Sequence, residues 1–417
     1  MVCGHDSLLW RKSGNALYCI RIKRQDADVP RVNALIDRAY EIVDYGSYAS
    51  LKTMMFQTRH SKCTDDRDRI YAMLGMLHDT DAELAIRPDY TKPSKEVYQE
   101  LVLRYIDRQQ QLSILLLCEL RSGVPTLPSW VPNFAIPNTA RPLLNMRATG
   151  DSLCNVESTG GDALQVAGLW VCTLRHLEIL ESTAERQYPR QDVIEAARRF
   201  ASTHDMSSNY LDSTTLREAY CRTMCAGPVL DEILQSDGGG LVDASPAAKK
   251  FLDYAKDTCS GRSFFQTAMG HIGVGPRIAE KDDLLCVLLG CGSPMLLRAA
   301  RDNSFRLVGE CFVPGLMCNE AILGPLPGKF TRVSKLDETW NSYVGAFVDM
   351  WSGEARVEDP MLGVLPYGCE RKVHEREKVR TIFVHENYLE GIHDRDLRLS
   401  KSALLDQGIV MEAFNLI

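Results

Sequence analysis

The sequence predicts an α+β chain whose N-terminal half is mainly helical and whose later part holds a small antiparallel β meander or barrel-like unit. Three observations carry that expectation. Apolar residues recur at helical spacing through about residue 140, a partly alternating run opens at Ala163, and short apolar runs divided by turn residues fill 284–313. With 417 residues, 45% hydrophobic and 25% charged, the chain has the makeup of an ordinary folded protein with room for two or three cores.

The first helical stretch, 28–43, carries Val29, Val32, Leu35, Ile36, Ala39, Tyr40 and Val43, a stripe wide enough to bury against a neighbour. Residues 63–75 read as an acid-capped helix. Thr64 or Asp65 is placed to accept from unpaired backbone N–H groups, and Asp65, Asp66 and Asp68 put negative charge where the helix dipole is positive. Ile70, Leu74 and Leu77 then follow at helical spacing, with Tyr71 beside them and Gly75 near the end. The stretch 94–109 repeats the logic, with Ser94 as N-cap and Val97, Tyr98, Leu101, Val102, Tyr105 and Ile106 along one face. In 127–134, Pro128 and Pro132 forbid a regular helix and favour an extended segment anchored by Trp130.

A polar, glycine-rich stretch at 149–162 marks a change of substructure, and 163–171 reads as a half-buried strand. A helical region spans 190–254, interrupted at Gly227-Pro228 and at Gly238-Gly239-Gly240. The apolar runs 284–289, 295–297 and 305–313 are separated by Gly290-Cys291-Gly292-Ser293 and Arg301-Asp302-Asn303-Ser304, the pattern of a meander. These breaks divide the chain into 1–148, 149–330 and 331–417.

A formal net charge of -7 gives no electrostatic reason to expect a nucleic-acid partner or an anionic membrane surface. Fourteen cysteines include no paired C-x2-C knuckles and no completing histidine cluster, so neither a zinc site nor any other metal or cofactor is expected. The start lacks an apolar leader segment and no run of eighteen apolar residues occurs, which predicts free thiols in a reducing, cytoplasmic setting with no membrane span.

No residue reads as catalytic. Asp65, Asp66 and Asp68 suit capping, with Arg67 and Arg69 beside them as ion-pair partners. The glycine-rich run 270–276 lacks the P-loop lysine and the ribose-binding acid of a nucleotide site and reads as a tight loop. Cys63, Cys118 and Ser129 have no nucleophile signature around them, although His60 stands three residues from Cys63. The tryptophans read as packing anchors.

One segment stands out, Cys63-Thr64-Asp65-Asp66-Arg67-Asp68-Arg69-Ile70-Tyr71-Ala72-Met73-Leu74-Gly75, followed by Arg87-Pro88-Asp89-Tyr90. It resembles the Cys-Thr-Asp-Pro-Arg-Asp-Lys-Ile-Tyr-Ala-Leu-Leu-Gly segment of the fungal heterokaryon-incompatibility (HET) family, with Asp66 in place of the family proline. Leu127-Pro128-Ser129-Trp130-Val131-Pro132 matches a further family segment, followed here by Asn133 and Phe134. The stretches 261–267, 273–276, 294–298 and 308–317 look like the C-terminal half of HET-6-like proteins. The tail, through 365–371, 380–387 and 393–399, resembles a degenerate WW module, with Cys369 at its first tryptophan position and Asp396 at its closing proline. The aromatic groove of such a module needs the second ring, so the tail is expected to be a structural end-cap.

The resemblance implies a protein of vegetative incompatibility and programmed cell death. The family's signature motifs, among them Ser-Tyr-Val-Trp-Gly and Arg-x-Trp-x-x-Gln-Glu, do not occur, so the chain is expected to correspond to the part downstream of them and to be truncated. The resemblance therefore implies action through a protein partner rather than through a carried-over active site. The alternatives are an enzyme or accessory protein of a fungal secondary-metabolite pathway, a nucleotide hydrolase at an unrecognised pocket, and a non-functional truncated allele.

Overall fold

The computed structural model describes residues 2–3, 6–7, 19–20, 51–77, 84–123, 127–143, 146–158, 161–180, 189–227, 246–337, 342–356, 358–365, 369–374, 380–385 and 396–417. The chain divides into two units. The first comprises Met1–Leu101 with Phe134–Pro137, and the second Val102–Asn133 with Asn138–Ile417.

In the first unit, β1 (Val2–Cys3) pairs with β2 (Asp6–Ser7). Helix α1 (Leu51–Gln57) buries Leu51, Met54, Met55 and Phe56. Helix α2 (Asp68–Tyr71) is a single turn, followed by a 3-10 turn at Leu74–Met76. Helix α3 (Ser94–Gln109) spans 16 residues, and the division between the units falls within it. Its buried residues Val97, Tyr98, Leu101, Val102, Tyr105 and Ile106 form one stripe. Ser94 is its first helical residue, and the carbonyl of Pro93 accepts from the N–H groups of Glu96 and Val97.

The second unit is organised by an eight-stranded mixed sheet. Strand β3 (Val156–Ser158) lies against β4 (Leu164–Ile179), the long central strand. Helices α4 (Pro189–Thr203), α5 (Leu216–Cys225) and α6 (Pro246–Cys259) follow. Then come β5 (Arg262–Thr267), β6 (Ile272–Pro276), β7 (Leu284–Leu288), β8 (Met295–Ala299) and β9 (Ser304–Glu310), and the short helix α7 (Glu320–Leu323). Strands β10 (Phe330–Asp337), β11 (Ser342–Asp349) and β12 (Ala355–Arg356) form their own antiparallel sheet, and β13 (Cys369–His374) pairs with β14 (Arg380–His385). Helix α8 (Lys401–Asp406) leads to β15 (Glu412–Leu416).

The strand order is β15-β9-β8-β7-β4-β5-β6, and β15 also pairs with β4, so β4, β7, β8, β9 and β15 close into a ring. Only the contact between β9 and β15 is parallel among these. Closure is made by bending β4, whose register shifts at Trp170/Cys172 and again at Leu174/His176. Each irregularity kinks the strand and increases its twist. Thus its first part pairs with β15 and β7 and its last part with β5. Leu285, Leu296, Val308 and Cys311 fill one core cluster. The helices bury a second cluster against β5 and β6, where Phe200 stacks on Tyr220 at 4.5 Å and meets Phe264 edge-on. Gly273 is required there, because a Cβ would lie 2.4 Å from the Phe265 ring.

These observations correct the expected fold class. The N-terminal half is not mainly helical: strand β4 runs through it as the centre of the large sheet, and the chain is organised by strands. The expected helix over 63–75 is reduced to α2 and a 3-10 turn. Arg67, at the N-cap position of α2, makes no side-chain cap, while the Asp65 carboxylate accepts from the backbone N–H of Arg67. That bond is the capping contact expected of Asp65, and the regular helix that follows it is one turn long. The apolar run at 113–117 is likewise a wholly buried 3-10 turn, Ser113–Leu117. In the tail, the described residues form the two-stranded β13–β14 hairpin, and the segment after it enters the main sheet as β15, with Leu399 and Leu404 packed among Ala167, Leu289 and Ile322. Burial of Phe414 and Leu416 at alternate positions drives that insertion. The expected helix over 28–43 lies outside the described residues.

Candidate functional site

The motif residues of the first unit form a polar knot between α2 and the 87–92 loop. Asp65 pairs with the Arg67 guanidinium through two hydrogen bonds, 2.9 and 2.6 Å. Arg67 also donates to the carbonyls of Tyr90 and Lys92, the latter at 2.9 Å. The Tyr90 hydroxyl donates to Asp68 at 2.6 Å, and the Tyr71 hydroxyl to the Asp89 carbonyl at 3.1 Å, with the two rings edge-to-face at 5.3 Å. Asp89 accepts from the N–H and hydroxyl of Thr91. Tyr98 donates to the Asp66 carbonyl at 2.8 Å, and Lys92 pairs with Glu100 at 2.7 Å.

The electrostatics follow from those bonds. Arg67 holds the Asp65 carboxyl down at about 2, and hydrogen bonds from Thr91 hold Asp89 below the usual carboxylate range. Bonding to Asp68 raises the Tyr90 hydroxyl above its ordinary value. All three groups are kept in the ionisation state that the knot uses. Cys63 is half-buried beside the knot, and Thr64, Gly75 and Pro88 are exposed.

Pro128 and Trp130 belong to the second unit, where both are buried. Trp130 is 1% exposed and its indole N–H donates to the Asp162 carbonyl at 2.9 Å. Ser129, read from sequence only as a nucleophile without partners, has a structural task. Its N–H donates to the main-chain oxygen of Ile417 at 2.9 Å, its hydroxyl donates to the same oxygen, and it accepts from the Leu307 N–H at 2.8 Å. One side chain thus clips the residue after β15 to β9.

The group that sequence reasoning missed is the buried pair of Arg262 and Glu310. Arg262 opens β5 and Glu310 ends β9; their contact is 2.8 Å, with side chains 1% and 5% exposed. Arg262 also donates to the Arg141 carbonyl, and the same Glu310 oxygen accepts from the Leu143 N–H at 2.6 Å. Burial pushes the Glu310 carboxyl up, and Arg262 opposes that rise. A signal was present in the sequence: one acid interrupts the apolar run Leu307-Val308-Gly309-Glu310-Cys311-Phe312-Val313. A second buried arginine, Arg398, binds Asp396, Glu358 and the Gly363 carbonyl, so Asp396 serves an ion pair at the position read as a lost closing proline.

The twelve cysteines from Cys19 to Cys318 form no disulfide. Burial pushes Cys221 and Cys259 up to about 12 and raises Cys118 and Cys311 strongly, so these stay protonated near neutral pH. Of the glycine-rich run 270–276, Gly270 and His271 lie in the expected turn, and Ile272–Pro276 forms β6, a buried strand paired with β5. Among the described residues no group of three or more histidine, cysteine or acidic side chains is arranged to hold a metal ion, and no helix is long and apolar enough to cross a membrane.

Compared with known proteins, the chain matches no family model, no curated protein and no solved structure. The resemblance read from the sequence therefore rests on the motif residues alone.

Proposed function

We propose that the chain is a member of the heterokaryon-incompatibility family that acts in vegetative incompatibility and programmed cell death, by recognising a protein partner in the cytoplasm. The family reading is supported by the segments 63–75, 87–90 and 127–132. The recognition reading is supported chiefly by one observation: Asp65, Arg67, Asp68, Tyr71 and Tyr90 spend their polar groups on one another and on the main chain of the 87–92 loop. A knot of this kind shapes a surface, and a general acid or base would instead be directed at a reacting group. Tyr90 remains 55% exposed on that surface.

The test is expression of the chain in a fungal host. Cells carrying it alone are expected to grow normally and to die only after fusion with a strain of unlike genotype. Death in unfused cells would overturn the recognition reading. Fusion without any incompatibility, against every tester strain, would overturn the family reading.

A further inference from the structure

The turn between β11 and β12 carries two large apolar side chains outward. Trp351 is 85% exposed, the most of any aromatic side chain among the described residues, and Met350 beside it is 62% exposed. The backbone of this turn is nevertheless closed to solvent bonding. The Met350 N–H donates to the Lys329 carbonyl at 2.7 Å, and those of Trp351 and Ser352 donate to Asp349 Oδ1 at 2.9 and 3.2 Å. The Gly353 N–H donates to the Asp349 carbonyl at 2.8 Å, and the Glu354 N–H to the Ser352 hydroxyl at 3.3 Å. Every N–H from Met350 to Glu354 thus has a partner inside the chain. A turn facing water has no need of this, since solvent can bond its N–H groups. Where water is scarce, an unpaired N–H is costly.

Charge stands one step behind the apex. Phe330 pairs with Asp349 at the base of the turn and is buried, with Lys329 Nζ 4.9 Å and the Arg356 guanidinium 4.7 Å from the centre of its ring. Both cationic residues are exposed, a placement that lets their stems rest on apolar surface while their heads stay hydrated. The carboxylates of Asp349 and Glu354 balance the two cations, so the tip is neutral as a whole.

We propose that this tip docks on the interface of a zwitterionic phospholipid bilayer, with Trp351 and Met350 entering between the headgroups. Lys329 and Arg356 then meet phosphate, and Glu354 meets the quaternary ammonium of choline. Tryptophan suits that depth, because its ring is apolar and its N–H stays at the wet level of the headgroups. A pocket on a protein would bring hydrogen-bonding groups of its own, whereas the boundary of the acyl chains offers few, so a turn that satisfies itself favours lipid. The neutral tip and the chain's net charge of -7 favour phosphatidylcholine over an anionic surface. Such a contact is peripheral and needs no spanning segment.

The test is flotation of the full chain with phosphatidylcholine vesicles, repeated with a brominated acyl chain that quenches tryptophan on contact. The natural chain is expected to float and to lose tryptophan fluorescence with the brominated lipid. Adding phosphatidylserine is expected not to strengthen binding. Trp351→Ser is expected to lower partitioning at least tenfold, while Tyr254→Ser, which removes a 53% exposed aromatic from α6, is expected to float like the natural chain. Unchanged thermal melting of both variants checks that they fold. No flotation on phosphatidylcholine, or equal flotation of Trp351→Ser, would overturn the proposal. So would binding through Trp351 that requires phosphatidylserine, or that occurs with a lipid-free protein and not with vesicles.

Discussion

Arginine meets carboxylate in both units of this chain, under opposite conditions. In the first unit Arg67 and Asp65 are 23% and 32% exposed, neighbours in sequence, and embedded in a knot of tyrosines and carbonyls. In the second, Arg262 and Glu310 are 1% and 5% exposed and 48 residues apart. The comparison separates recognisability from consequence. A surface pair is screened by water and salt, so its contribution is small and its value lies in orienting the loop it binds. A buried pair has lost its hydration, so removing one partner strands a charge where nothing replaces the lost water.

The sharpest way to break this contrast is to remove one buried partner. Arg262→Met is expected to destabilise the second unit by about 3–5 kcal/mol, read by urea unfolding, because Glu310 is left buried and unpaired. Combining it with Glu310→Leu is expected to recover much of that loss. If the single variant unfolds at the same urea concentration as the natural chain, the pair is not structurally coupled as described.

Ser129→Ala comes next. It leaves the Leu307 N–H without its acceptor and releases the clip on the residue after β15, at a cost of about 1–3 kcal/mol. Hydrogen exchange at Leu416 and Ile417 should speed up while exchange in α4 stays unchanged. Uniform acceleration across the unit would argue for global weakening instead.

Glu320 stands between the two extremes. Burial, with Asp359 and Asp212 nearby, raises its carboxyl from the ordinary 4.5 to about 7. The folded chain therefore holds a proton there that the unfolded chain has released, and this group's contribution to stability falls as pH rises from about 4.5 to about 7. Glu320→Gln should flatten that slope and raise the melting temperature at pH 8. An unchanged pH profile would remove Glu320 from the account.

The smallest effect is expected at Asp65. Its folded value of about 2 lies below the ordinary 3.8, so its contribution is complete above about 4 and is lost as pH falls toward 2. Asp65→Asn should shift the acid limb of the melting curve slightly, and the shift should shrink in 0.5 M salt. A shift that salt does not touch would place the pair in a less solvated setting than its exposure indicates.

How much was legible beforehand differs along the chain. The stripe of 94–109 is a sixteen-residue helix because its spacing survives whatever it packs against. The spacing of Ile70, Leu74 and Leu77 misled as to length, because the α-helix stops at Tyr71 and Leu74 falls in a 3-10 turn, while the Asp65 cap read from the sequence is present. Ser129 gave no local sign of its partners, since Ile417 and Leu307 lie 288 and 178 residues away. The glycines of 270–276 suggested a loop, which holds for Gly270, whereas Gly273 lets a strand lie against Phe265 and Phe312.

The sequence alone determined the local matters: helical stripes, turn residues, the charges around Arg67, and the motifs that carry the resemblance. Each depends on residues a few positions apart, whose interactions exist in any compact form of the chain. The tertiary structure decided the closed ring of β4, β7, β8, β9 and β15, the clip at Ser129, and the meeting of Arg262 with Glu310. These depend on residues from 48 to 288 positions apart, which shape and burial specify together and local spacing does not.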